Sequence, residues 1–135
     1  MVRIAVSNYE KMSVLDIESG DFPSYTIHTL SKIEKKYPRN KFFILLGKDS
    51  FYFFRKWKNY KIILNKYNIL VYPRIGYFSH PVFKYYKNII FLKAPIIEIS
   101  SSFIRKSIQE GKNMKPMLHA EVWYYMEKYN LYIKK

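Results

Sequence analysis

The chain has 135 residues, enough for one domain with a real core and too few for two comfortable ones. Hydrophobic residues make up 49%, which excludes a disordered chain, and the absence of cysteine excludes both a disulfide framework and a cysteine-ligated zinc site. Twenty-four Lys and Arg against 10 Asp and Glu give a net charge of +14, the balance expected of a partner for polyanions.

Aromatic residues at 19% strengthen that reading, since bases stack on them. The joint excess of Lys, Ile, Asn, Tyr and Phe is also what an A+T-rich coding sequence produces whatever the function. The charge is therefore read mainly as background, with no specific nucleic acid as partner, though it draws nucleotides and other anions toward the surface. No apolar run is long enough to span a bilayer and the N-terminus lacks a signal-peptide core, so a cytoplasmic protein without membrane contact is expected.

In chain order, Met1 to about Tyr9 reads as the tail of a helix with neither a cap nor a preceding turn. Met12 to Ile17 reads as a short strand. Ser24 to Tyr37 fits an amphipathic helix, with Ile27, Leu30, Ile33 and Tyr37 at helical spacing and Pro38 as its stop. The run Phe42-Phe43-Ile44-Leu45-Leu46, closed by Gly47, reads as a strand covered on both faces, as in a parallel sheet. Ser50 to Asn59 looks helical. Ile69 to Tyr72 and Ile89 to Leu92 read as further buried strands, and Pro95 to Ile99 as strand-like. Ser101 to Glu110 is a helix stopped by Gly111, and Ala120 to Tyr129 closes the chain with Val122, Tyr125 and Tyr129 on one face. Strands alternating with helices predict a single α/β domain over residues 1–135, built on a mainly parallel sheet.

Ligands of open parallel sheets sit beyond the carboxyl ends of the strands, and three features fall there. Gly47-Lys48-Asp49 follows the most apolar strand: glycine permits close backbone approach, and Asp49 offers acceptors for ribose hydroxyls or a cation. The same two residues also suit a plain turn and helix cap. Arg74 follows the Ile69 to Tyr72 strand, where an arginine in so basic a chain is ordinarily just solvated. Ile99-Ser100-Ser101-Ser102-Phe103-Ile104-Arg105 places hydroxyls and a guanidinium at a helix start, whose unpaired N–H groups and dipole favour anions. One of those serines serves equally as an ordinary cap. Trp57 offers an indole face for a flat heteroaromatic ring, a role that competes with simple core packing.

These features form an ordered set. Ser24-Tyr25-Thr26, Thr29-Leu30, the apolar strand into Gly47-x-Asp49, Phe54 with Trp57, Arg74-x-Gly76-Tyr77, Ile99-Ser-Ser-Ser-x-Ile-Arg105 and the ending from Leu118 to Tyr132 follow one another in order. Together they closely resemble bacterial nicotinate-nucleotide adenylyltransferase, a Rossmann-like α/β nucleotidyltransferase of NAD biosynthesis that joins nicotinate mononucleotide to ATP, giving deamido-NAD and pyrophosphate. The resemblance implies that Ser101, Ser102 and Arg105 hold the ATP phosphates, with Ser102 and Arg105 stabilising the departing pyrophosphate. It implies that Gly47 and Asp49 meet nucleotide ribose, and that Trp57 stacks on the pyridine ring in a nicotinate pocket shared with Tyr25, Thr26 and Arg74. It further implies direct attack of the mononucleotide phosphate on the α-phosphorus of ATP, with Mg2+ accompanying ATP and no protein metal ligands.

The family begins with a strand, a glycine-rich turn and a His-x-x-His signature, and no such segment occurs in this sequence. His28, His80 and His119 are far apart and read as structural or exposed; His119 stands where the family usually has proline. The resemblance places Met1 inside a family helix, after the first two strands. The expected sheet therefore lacks the family's first strands and leaves the Phe42 to Leu46 strand with an unpaired apolar edge, open to aggregation, to an N-terminal partner fragment or to a second copy. A misassigned start, a split gene and a decaying remnant are the expected explanations, and the isolated chain is expected to turn over poorly. A related adenylyltransferase with another phosphorylated substrate, and a basic nucleic-acid-binding module, are the alternatives.

Overall fold

The computed structural model of the chain describes residues 1–18, 23–77, 83 and 85–133. Its elements are α1 (Val2–Val6), α2 (Thr26–Lys36), β1 (Phe43–Gly47), α3 (Lys48–Tyr52), α4 (Tyr60–Lys66), β2 (Asn68–Tyr72), β3 (Ile89–Phe91), α5 (Ser101–Gln109) and α6 (Ala120–Lys128). They fall into two compact units, one of residues 17–98 and one of residues 1–16 with 99–135.

The first unit is α/β. Its three strands lie in the order β1-β2-β3, all parallel, with Ile44 opposite Ile69, Leu45 opposite Leu70 and Leu70 opposite Ile90. Side chains alternate across the pleat, so Ile44, Ile69, Val71 and Ile89 point to one face and bury there with Phe51, Phe54, Ile63 and Leu64. Helix α2 adds Leu30, with Ile27 and Phe42 packed around the same core. Lys66 donates to Glu34 at 2.5 Å and so ties α4 to α2. The contact holds the Glu34 carboxyl below its usual range and Lys66 above its own. Both groups lie at the surface, so the contribution to stability is small.

Four local expectations are corrected. Ser50–Asn59 is not one helix: α3 ends at Tyr52, Phe54–Lys56 is a 3₁₀ turn, and Asn59 adopts a left-handed φ of 55° ahead of α4. The spacing explains the break. Phe51, Phe54 and Trp57 recur every third residue, and a turn tightened to three residues keeps all three against the core. Met12–Ile17 and Pro95–Ile99 form no strand, because neither joins the ladder that a strand requires.

The fourth correction concerns β1, which is covered on one face only. Ile44 is buried, whereas Leu45 on the other face is 64% exposed, with Phe43 and Ile90 also exposed. Within the described sheet β1 is an edge strand, so an apolar face and an unpaired backbone edge coincide. Leu45→Lys leaves the buried face untouched and is expected to shift the chain toward monomer in concentration-dependent light scattering. Equal association of both proteins would show that this edge does not drive it.

The second unit packs α1, α5 and α6 around Ile104, Ile108, Met114, Val122 and Met126. Both longer helices close with Schellman turns. After α5, Lys112 N donates to Ser107 O and Gly111 N to Ile108 O, with Gly111 at φ 77°. After α6, Leu131 N donates to Met126 O and Asn130 N to Glu127 O, with Asn130 at φ 49°. Tyr125 and Tyr129 share a face, their rings 4.6 Å apart, but the buried face belongs to Val122 and Met126. Among the described residues, no helix is long and apolar enough to cross a membrane.

Candidate functional site

In the α/β unit, the carboxyl ends of β1 and β2 bring three expected residues together. Gly47 stands opposite Tyr72 in the ladder and leads directly into α3, which carries Asp49 in its first turn. A side-chain carbon at Gly47 would collide with Asp49 Oδ1 and lie 3.6 Å from Arg74 Nε, so carboxylate and guanidinium both close over the bare glycine. Here the missing side chain matters for close approach, since Gly47 itself has an ordinary extended backbone. Arg74 Nη1 donates to Ile97 O at 2.9 Å, and the Tyr72 hydroxyl donates to Pro95 O. These bonds pin the segment after β3 across the strand ends.

The same unit carries a separate cleft of about 260 Å³ lined by Ser24, Tyr25, Thr26, Lys56, Trp57 and Lys58. Trp57 is half-buried. It packs on Phe54, ring centroids 5.3 Å apart, while contributing to the cleft wall, so the core and ligand-facing readings of this residue are compatible. Tyr25 and Thr26 reach the cleft because the extended Tyr25 precedes the first turn of α2. Arg74 does not line this cleft; its neighbours are Gly47 and Ile97. Lys58 Nζ lies 4.1 Å from the centroid of the Tyr25 ring, a contact that composition gave no means of picking from so many lysines.

Beside it, Glu18, Pro23, Ser24, Tyr25, His28, Thr29 and Lys32 line a second cleft of about 180 Å³. The Thr29 hydroxyl donates to Glu18, and this bond, with one from Ser24 and the charge of Lys32, holds the Glu18 carboxyl below its usual range. The exposed His28 meets the Tyr25 ring edge-on at 5.7 Å. His119 occupies the residue before α6 without a capping bond from its side chain and is half-buried, and His80 lies outside the described residues.

In the helical unit, Ser100 is the cap of α5: its Oγ accepts from Phe103 N at 3.1 Å. That frees the exposed Ser101 and Ser102, and Arg105 Nη2 donates to Ser102 Oγ at 3.3 Å. Ile104, Ser107 and Ile108 anchor the opposite face, so the hydroxyls and the guanidinium stand together on a fixed helix start. Among the described residues no group of three His, Cys, Asp or Glu side chains is arranged to hold a metal.

A probable nicotinate-nucleotide adenylyltransferase of Flavobacterium johnsoniae is 43% identical over 136 residues, covering 99% of this chain and 70% of the relative. The chain belongs to the nicotinate-nucleotide adenylyltransferase family. A relative of the same description from Christiangramia forsetii is 44% identical, with 98% of this chain and 69% of that protein covered. The chain thus spans about 70% of the length of these family members, and the match falls in their C-terminal portion. The family is one of nucleotidyltransferases, and the Rossmann-like α/β expectation holds. No protein-family profile matches the chain. Among solved structures, Plasmodium falciparum nicotinic acid mononucleotide adenylyltransferase, complexed with APC or with NaAD, superposes with a TM-score of 0.79 at 21% identity. That match covers 98% of this chain and 72% of the APC-complexed one, and it establishes a shared fold.

Proposed function

We propose that the chain carries the substrate-holding part of a nicotinate-nucleotide adenylyltransferase, acting on ATP and nicotinate mononucleotide. The observation that carries this reading is the cleft in which Tyr25, Thr26 and Trp57 meet, in a chain belonging to that family. The indole stacks on a flat pyridine ring, and Tyr25 and Thr26 bound the ring's edge. Gly47 and Asp49 serve the ribose region: the bare glycine admits the sugar closely, and the carboxylate accepts from its hydroxyls. Arg74, pinned to Ile97, is a fixed cation at the same strand ends. Ser101, Ser102 and Arg105 take the triphosphate.

In the reaction, a phosphate oxygen of the mononucleotide forms a bond to the α-phosphorus of ATP while the bond to the β-phosphate oxygen breaks, releasing pyrophosphate. Such in-line transfer needs positioning and charge neutralisation more than a protein nucleophile, and the residues present are of that kind. Magnesium comes as part of the ATP substrate and screens its phosphates. In the family the His-x-x-His signature contacts the transferring phosphate, where imidazolium charge offsets the charge that builds up. No two of this chain's histidines are spaced as a His-x-x-His pair.

The chain on its own is therefore expected to bind substrates but to release deamido-NAD far more slowly than a family member carrying that signature. The check is deamido-NAD and pyrophosphate formation from magnesium ATP and nicotinate mononucleotide by the purified chain. Turnover matching such a relative would overturn the expectation of impairment. Steeply salt-dependent binding of oligonucleotides, with no mononucleotide binding, would replace the whole reading with a nucleic-acid module.

A further inference from the structure

The cleft beside Trp57 holds two lysines that the reading above leaves without a task, and their surroundings differ. Lys56 Nζ lies 5.2 Å from the centroid of Phe53, a ring that does not line the cleft. Lys58 Nζ lies closer, 4.1 Å, over Tyr25, which does line it. A cation held over an aromatic face keeps its charge and much of its capacity to donate, because the ring satisfies one side only. Among the described residues no carboxylate forms an ion pair with Lys58. The ammonium is thus stationed at the cleft by Tyr25, next in sequence to the indole of Trp57.

We infer that Lys58 is the residue that distinguishes an acid from an amide on the pyridine ring of the mononucleotide. This rests on the assignment of the cleft to the pyridine ring. Nicotinate carries a carboxylate at neutral pH where nicotinamide carries an uncharged amide of nearly the same shape. Shape alone therefore separates the two poorly, whereas a positioned ammonium, which can donate to either, gains the attraction of opposite charges only with the acid. Lys58 stays exposed, so the gain is moderate: roughly ten-fold in relative affinity.

The test is calorimetric titration of the chain with nicotinate mononucleotide and, separately, with nicotinamide mononucleotide, for the wild type, Lys58→Met and Lys58→Arg. Methionine keeps an unbranched apolar stem of similar reach and removes the charge. The expected result is a loss of about ten-fold for the acid in Lys58→Met, a much smaller loss for the amide, and recovery of the acid preference in Lys58→Arg. The ratio of the two affinities is the readout, since a merely structural defect weakens both ligands together. Acid binding with an unchanged ratio in Lys58→Met overturns the role of Lys58 and leaves the cleft assignment standing. Failure of the wild type to bind either mononucleotide overturns the cleft assignment itself, and this inference with it.

Discussion

Phe51→Ala is expected to abolish the cooperative fold of the α/β unit. Phe51 has no exposed surface, and its ring touches Phe54, Phe83 and Phe91 at centroid distances of 5.4, 4.8 and 5.8 Å. It thereby joins α3 and the following 3₁₀ turn to β3 through a single side chain. Truncating a buried phenylalanine to alanine costs about 3–5 kcal/mol, through lost burial and the cavity left behind. A domain's whole stability is only about 5–15 kcal/mol, and a unit with one sheet face uncovered belongs at the low end. Urea denaturation followed by circular dichroism checks this, with a large fall in midpoint or no folded baseline at all. A midpoint within a few tenths of molar of wild type would mean that Phe51 is not the keystone described.

Arg105→Ala is expected to weaken ATP binding by roughly ten- to a hundred-fold, the range for losing a charge-assisted phosphate contact. Stability should change little. Arg105 is only partly buried and its described contact is the Ser102 hydroxyl, whereas α5 is anchored by Ile104 and Ile108 and capped by Ser100. Arg105→Lys keeps the charge but not the planar fork, and should fall between. Titration with magnesium ATP reads the affinity, and far-ultraviolet circular dichroism confirms the helix. Unchanged affinity in a folded Arg105→Ala protein would remove α5 from the substrate site. Ser100→Ala is the informative contrast, because it attacks the cap and so the helix rather than the phosphates.

Periodicity made the helices α2, α5 and α6 and all three strands legible. In four of them, α2, β1, β2 and α5, apolar spacing agreed with a strong stop signal: Pro38, Gly47, Pro73 and Gly111. Reading failed where one signal was heard as another. Ser50 to Asn59 looked helical throughout, but the spacing of three between Phe51, Phe54 and Trp57 suits the tighter turn found there. Helix α4 was hidden in Tyr60–Lys66, whose start is set by the left-handed Asn59 rather than by a recognisable cap. Met12–Ile17 and Pro95–Ile99 have strand-like residues, yet strand formation depends on a partner that no local pattern specifies. The covering of β1 failed for the same reason: an unbroken apolar run suits burial on both faces but does not supply what covers the second.

The candidate site was legible as a set of residues more than as a geometry. The sequence pointed to Ser101, Ser102 and Arg105 but not to Ser100 as the cap that frees them. It placed Trp57 between two roles, and the structure shows one ring serving both the core and the cleft wall. Lys58 was invisible because 24 basic residues offer no local contrast, and only its position over Tyr25 singles it out. Arg74 is distant in sequence from Gly47 and Asp49, and parallel pairing of β1 with β2 is what brings it to their end of the sheet.

The central claim is that the Tyr25–Trp57 cleft receives a pyridine mononucleotide. Titration of the wild-type chain with nicotinate mononucleotide, followed by calorimetry, tests it most directly because it needs no turnover. Saturable binding at one site per chain, tighter than that of nicotinamide mononucleotide, is the predicted result. A folded chain that takes up no nicotinate mononucleotide at millimolar concentrations would contradict the account.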